Sequence, residues 1–137
     1  MDELDTQMGA ARKGTITPQM EVVAKKERRT AEEIRAWVAE GKVIIPANHA
    51  HACLDPNGVG SMLRTKINVN LGVSRDVKDY DIEMEKVRSA VKLGAQAIMD
   101  LSCHGDTQPF RRKLCRECPT MVGTTWQIGR ASCWERV

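Results

Sequence analysis

Apolar residues recur in two different rhythms along this chain, and the alternation between them predicts its elements. The runs Lys66-Ile67-Asn68-Val69-Asn70-Leu71-Gly72 and Ala97-Ile98-Met99-Asp100-Leu101-Ser102 each begin apolar, as a strand buried on both faces does. Each then ends in polar groups followed by a loop. Between them, Asp81 to Leu93 is amphipathic over about three turns at roughly 3.6 residues per turn. It is capped by Asp79 or Asp81, buries Met84, Val87, Ala90 and Val91, and ends near Gly94. Strand, helix and strand at this spacing predict a parallel unit whose polar strand ends share one sheet edge. Parallel α/β folds place their active sites on that edge. A further helix is expected from about Pro109 to Glu117, with Phe110 and Leu114 inward, followed by a third parallel strand at Thr120–Thr124.

Upstream, the period is helical. Thr17-Pro18 opens a short helix, with threonine as cap and proline at the first helical position, and Met20, Val23 and Ala24 share a face. Thr30-Ala31-Glu32-Glu33 reads as a capping box for a second helix with Ile34, Trp37 and Val38 as its stripe, stopped by Gly41. Val43-Ile44-Ile45 is a β-like run halted by Pro46, and Asn48 to Leu63 reads as a loop or a pair of tight turns. The fold class expected is α/β: a helical preamble, then β-α-β-α-β. Three strands and two helices cover a parallel sheet poorly, so the chain is expected to be cut short.

Composition narrows the partners. Of 137 residues, 42% are hydrophobic, which fits a globular protein, and only 4% are aromatic, too few for base-stacking platforms. The net charge of +3 comes from 21 basic and 18 acidic residues, mostly interspersed. The densest basic run, Lys25-Lys26-Glu27-Arg28-Arg29, reads as a solvated helix end, so no nucleic-acid partner is expected. No apolar segment approaches the length of about 20 residues that spans a bilayer. The acidic start Met1-Asp2-Glu3-Leu4-Asp5 is unlike a secretory signal. Five cysteines without a framework spacing suit a reducing compartment, so the expected location is the cytoplasm, away from membranes.

Four groups of residues could carry chemistry. Cys115 and Cys118 have a spacing that grips zinc or exchanges disulfides, but there is no second pair and the motif closes a helix instead of opening one. Two incidental cysteines are the better reading. His49, His51 and Cys53 alternate and would face one way in extended chain, although Pro46 and Asp55-Pro56 argue for a loop. His104 follows the second strand near Asp106 and reads as a solvent-facing loop residue. Asn68 and Asn70 point the same way from the first strand, where amides need partners. They either bond their neighbours in a filled interior, or Asn70, nearest the strand's carboxyl end, offers a donor and an acceptor to a heterocyclic ligand. Met99 points to the opposite face from Asp100.

Several segments resemble a known family. They are Thr6-Gln7-Met8, Ala11-Arg12, Gly14, Ile16-Thr17-Pro18, Met20-Glu21, Val23-Ala24, Glu27, Ile44-Ile45-Pro46-Ala47-Asn48, the Lys66–Gly72 strand, Met99-Asp100-Leu101-Ser102 and Val122-Gly123-Thr124. They resemble ThiC, the hydroxymethylpyrimidine phosphate synthases of thiamine biosynthesis, from about Thr6 to Thr124. The resemblance implies a (β/α)8 TIM-type barrel and a radical S-adenosylmethionine lyase that uses a [4Fe-4S] cluster and zinc. Such an enzyme rearranges aminoimidazole ribotide into the pyrimidine, and a homodimer is the expected assembly. The family's substrate-contacting asparagine falls on Asn70 and its methionine on Met99. No catalytic residue and no metal ligand is assigned. The expected organisation is 1–63 as an N-terminal helical and loop region, 64–126 as the start of the barrel and 127–137 as a non-native tail.

Departures matter too. The family tyrosine would fall on position 128, where Ile128 stands; Pro46-Ala47-Asn48-His49-Ala50-His51 lacks one asparagine of the family motif; Cys118 replaces a usual serine. The family's metal-binding histidines and cluster-binding cysteine triad have no counterpart in these 137 residues. The tail Gln127–Val137 resembles a translated sequencing adapter with tryptophan at 134 in place of arginine, and the chain alone is expected to be inactive. Three rivals stand beside this reading: the paralogous hydroxybenzimidazole synthase, a small Cys/His metal-binding or redox module, and a short interaction protein.

Overall fold

The computed structural model describes residues 6–124. Ten elements follow one another, and the first three are held by their caps. In α1 (Gln7–Arg12) the Thr6 hydroxyl accepts from the Gly9 N–H, and in α2 (Pro18–Glu27) that of Thr17 accepts from Met20. The capping box expected for α3 (Ala31–Ala39) is present in both directions between Thr30 and Glu33. Met20, Val23, Ala24, Ile34 and Val38 form one core with Ala11, Val43 and Ile45, and Trp37 packs beside it. The guanidinium of Arg29 lies 5.7 Å from the Trp37 ring centre. Two elements differ from expectation. α1 is one six-residue helix with too little period to be read, and β2 (Val59–Gly60) forms inside the stretch expected as a loop, antiparallel to β1 (Val43–Ile44).

The second half carries β3 (Asn68–Leu71), α4 (Tyr80–Lys92), β4 (Ala97–Asp100), α5 (Gln108–Glu117) and β5 (Met121–Thr124). The three strands form one parallel sheet in the order β3-β4-β5. Leu71 and Ile98 pack against Met84, Val87 and Ala90 of α4 and Phe110 and Leu114 of α5, so both helices cover the same face. Burial on both faces was expected for β3, and this is corrected: Asn68 and Asn70 are exposed, while Leu71 is buried. The reason is its alternation, Asn-Val-Asn-Leu, which is the period of a strand covered on one face.

Buried polar contacts join the two halves. At the end of α2, Glu27 accepts from Lys66 Nζ at 2.5 Å and from the Arg64 N–H at 2.9 Å. Burial works against its charge, but the Lys66 and Arg64 bonds outweigh burial and hold this carboxyl below the usual range. Between β1 and β2, the Asp55 N–H donates to Pro119 O at 2.8 Å, seating that connection on the end of α5. Among the described residues no helix is long and apolar enough to cross a membrane. The tail Gln127–Val137 and Ile128 lie outside the described residues.

Candidate functional site

The register of the sheet sets one row of residues on its open face. Asn70 pairs with Met99, and Met99 pairs with Gly123. Paired residues on adjacent strands project to the same side, so an amide and a thioether stand next to each other. Asn68 Nδ2 donates to Asn70 Oδ1 at 2.9 Å, so the two amides do bond each other. This contact still leaves the Asn70 amide nitrogen as a donor. Gly123 makes room beside it: a Cβ there would come within 2.9 Å of Met99 Cε and 3.0 Å of its Sδ. The methionine therefore leans over β5. A directed amide beside a soft, adaptable apolar group suits a small planar polar molecule.

Behind this row, the exits of β3 and β4 are stitched together. Leu101 N–H donates to Leu71 O at 2.7 Å, and Ser102 Oγ accepts from the Val73 N–H at 3.1 Å. Gly72 sits at φ +142° over the same junction, where a Cβ would meet Ser102 N at 2.5 Å. Asp100 is wholly buried; its carboxylate takes the Ser102 N–H at 2.9 Å and Arg111 Nε at 2.8 Å. Glu83, also buried, accepts from the Gly72 N–H at 2.8 Å and from Lys86 at 2.5 Å. Tyr80 stacks on Phe110 at 5.1 Å and donates to Asp106 O at 3.1 Å. Burial first, and then the charges of Asp100 and Asp106, push its hydroxyl up against the opposing pull of Arg111.

Sequence reasoning named Asn70, Met99 and Asp100 but missed Glu83, Arg111, Gly72 and Gly123. A signal existed for Glu83. It stands at i, i+4 and i+7 with Val87 and Ala90 on the apolar face of α4, where an acid needs a buried partner.

The other candidates do not converge. His51 N–H donates to Asn48 O at 3.0 Å and Leu54 N–H to His51 O at 3.1 Å, so the segment turns and the extended alternation is lost. His51 is buried with Nε2 2.6 Å from Cys118 O, while His49 and Cys53 are exposed. Among the described residues no group of three or more His, Cys, Asp or Glu side chains could hold a metal ion. His104 is half-buried. Cys118 ends α5, with its thiol 3.1 Å from Thr120 Oγ1. A cleft of about 470 Å³ opens in the N-terminal half beside Gln7, Thr17, Asn48 and His49, and it contains neither Asn70 nor Met99. The chemistry favours the sheet edge, because there the backbone fixes both side chains.

The comparisons decide the family: residues 6–131 match the sequence model of the Radical SAM ThiC family. The chain belongs to that family. It is 59% identical over 119 residues to the phosphomethylpyrimidine synthase of Pelotomaculum thermopropionicum, covering 87% of this chain and 28% of that protein. It is 53% identical, also over 119 residues, to the phosphomethylpyrimidine synthase of Clostridium botulinum strain Hall, covering 87% and 27%. The chain thus spans about 28% of the length of the first of these relatives. The β-α-β-α-β segment of this ThiC-family chain, with Asn70 and Met99 in its first two strands, falls inside the matched residues.

Proposed function

We propose that this chain is the N-terminal part of a phosphomethylpyrimidine synthase and that β3, β4 and β5 open its (β/α)8 barrel. The whole protein converts aminoimidazole ribotide to hydroxymethylpyrimidine phosphate in thiamine biosynthesis. In this reading residues 1–63 precede the barrel, 64–126 begin it, and the protein works as a soluble cytoplasmic homodimer with a small-molecule substrate. Asn70 and Met99 contact that substrate. The observation that carries the reading is the register pair Asn70–Met99 on neighbouring parallel strands, within a chain that matches the family over residues 6–131.

The reaction class implies S-adenosylmethionine and an iron–sulfur cluster, which supply the radical, and the family resemblance adds zinc. The described residues do not fit either metal, since no group of three or more ligating side chains converges among them. What these residues do is bind and orient. Asn70 donates from Nδ2 to a ring nitrogen or hydroxyl, Asn68 fixes the orientation of its amide, and Met99 packs on the substrate's apolar face. Glu83, Asp100 and Arg111 keep the rim from which both project rigid.

The test is a chimera in which residues 6–124 replace the matching segment of the Pelotomaculum enzyme. Supplied with aminoimidazole ribotide, S-adenosylmethionine and reductant, it is expected to form hydroxymethylpyrimidine phosphate within about tenfold of the parent rate. A folded, cluster-loaded chimera that forms no pyrimidine, or forms hydroxybenzimidazole, overturns the proposal.

A further inference from the structure

The cysteines of this chain are not all incidental. The β1–β2 connection carries Cys53, whose Sγ lies 3.2 Å from Cys118 O and 3.5 Å from Cys115 O. One side-chain and one backbone anchor already hold that connection on the end of α5: His51 Nε2 against Cys118 O at 2.6 Å, and the Asp55 N–H on Pro119 O at 2.8 Å. Cys53, Cys115 and Cys118 are all thiols here. Cys118 is committed elsewhere, with its Sγ buried in the sheet–helix core and 3.1 Å from Thr120 Oγ1. Cys115 is half-buried, its own carbonyl oxygen is the one that Cys53 Sγ approaches, and Cys53 is exposed. Cys103 lies at the other end of the sheet, its Sγ 3.8 Å from Val73 O.

We propose that Cys53 and Cys115 are a reversible disulfide pair, a redox-sensitive clasp between the β1–β2 connection and the C-terminal end of α5. The oxidant is a small-molecule disulfide. The Cys53 thiol gives up its proton and attacks one of the oxidant's sulfurs, forming a mixed disulfide and expelling a thiolate that takes that proton. Cys115 then loses its proton and attacks Cys53 Sγ, which forms the protein disulfide and releases the second small thiol. Two protein thiols give up two hydrogens with their electrons, and the small disulfide becomes two thiols.

The geometry also sets the pace. Burial, followed by the neighbouring Cys118 and Cys53, pushes the Cys115 thiol up, so closure accelerates as pH rises. The clasp closes a loop between residues 62 apart in sequence and ties the β1–β2 connection to α5. It therefore stabilises the folded chain when oxidised.

The experiment uses the full 137-residue chain carrying Cys133→Ser, treated with oxidised glutathione and digested with trypsin. The remaining cysteines fall on separate tryptic peptides: Cys53 on 43–64, Cys103 on 93–111, Cys115 on 114–116 and Cys118 on 117–130. The expected product is peptide 43–64 joined to 114–116, with a mass loss of about 2 Da and a Tm raised by about 5 °C or more, reversed by dithiothreitol. Cys118→Ser is expected to close equally well, whereas Cys53→Ser and Cys115→Ser stop at glutathione adducts. A bond from 117–130 to either 43–64 or 114–116, or glutathione adducts without any bond in the Cys133→Ser chain, overturns the proposal.

Discussion

Replacing Arg111 with leucine is expected to lower the unfolding free energy by about 3–5 kcal/mol, because it strands a buried charge. Asp100 has no exposure, and Arg111 Nε is the cationic partner of its carboxylate at 2.8 Å. The remaining bond, from the Ser102 N–H, is not enough to hold an anion in the sheet–helix core. The companion variant separates charge from packing. In Asp100→Asn combined with Arg111→Leu, the amide oxygen still accepts from Ser102, while neither charge of the pair is left inside. That double variant is expected to recover at least half of the loss in urea denaturation. An Arg111→Leu variant within about 0.5 kcal/mol of the parent would mean that the pair does not stabilise the fold.

The second large effect is expected at the junction of the strand exits. Gly72→Ala would put a methyl carbon 2.5 Å from Ser102 N and 2.8 Å from the Leu101 carbonyl carbon, both backbone atoms that cannot rotate away. Its φ of +142° is also a region that side chains with a Cβ rarely enter. Strain of about 1–3 kcal/mol from the backbone adds to about 1–3 kcal/mol from overpacking. The substitution must also push Gly72 N–H away from Glu83, whose buried carboxylate then loses a donor. Thermal denaturation is expected to show a Tm lower by about 10 °C. An unchanged Tm would show that the two exits are not locked together.

How much of this was legible in the sequence varies with the range of the interaction involved. Caps are local, and Thr17, Thr30 and Asp79 do what their sequence neighbours demand. The parallel unit was legible because apolar strand starts and a helical stripe between them leave few ways to connect. The two-residue strand β2 was not, since its pairing depends on Gly60 lying under Lys42, where a Cβ would come within 2.3 Å of the carbonyl oxygen. In β3 the alternation marked an open face that was expected to be buried. For His49–Cys53, the loop that Pro46 and Asp55-Pro56 argue for is present as a turn. Long-range polar partners such as Glu83 with Gly72, or His51 with Cys118, carry no signal beyond an unexplained polar residue at an apolar position.

The geometry of the candidate site was legible in part. Asn70 and Met99 stand in register on adjacent parallel strands, and both project from the face that α4 and α5 leave open. The groups that fix the rim behind them became visible only in three dimensions. Because neither side chain belongs to the sheet–helix core, trimming them should alter ligand contact far more than stability.

Steady-state kinetics of the chimera carrying Asn70→Ala or Met99→Ala test the central claim most directly. The expected result is a kcat/KM lower by about tenfold or more for each, at unchanged Tm, with the double variant losing less than the product of the two because both contact one substrate. Unchanged kcat/KM in both single variants would contradict the claim that this row of the sheet receives the substrate.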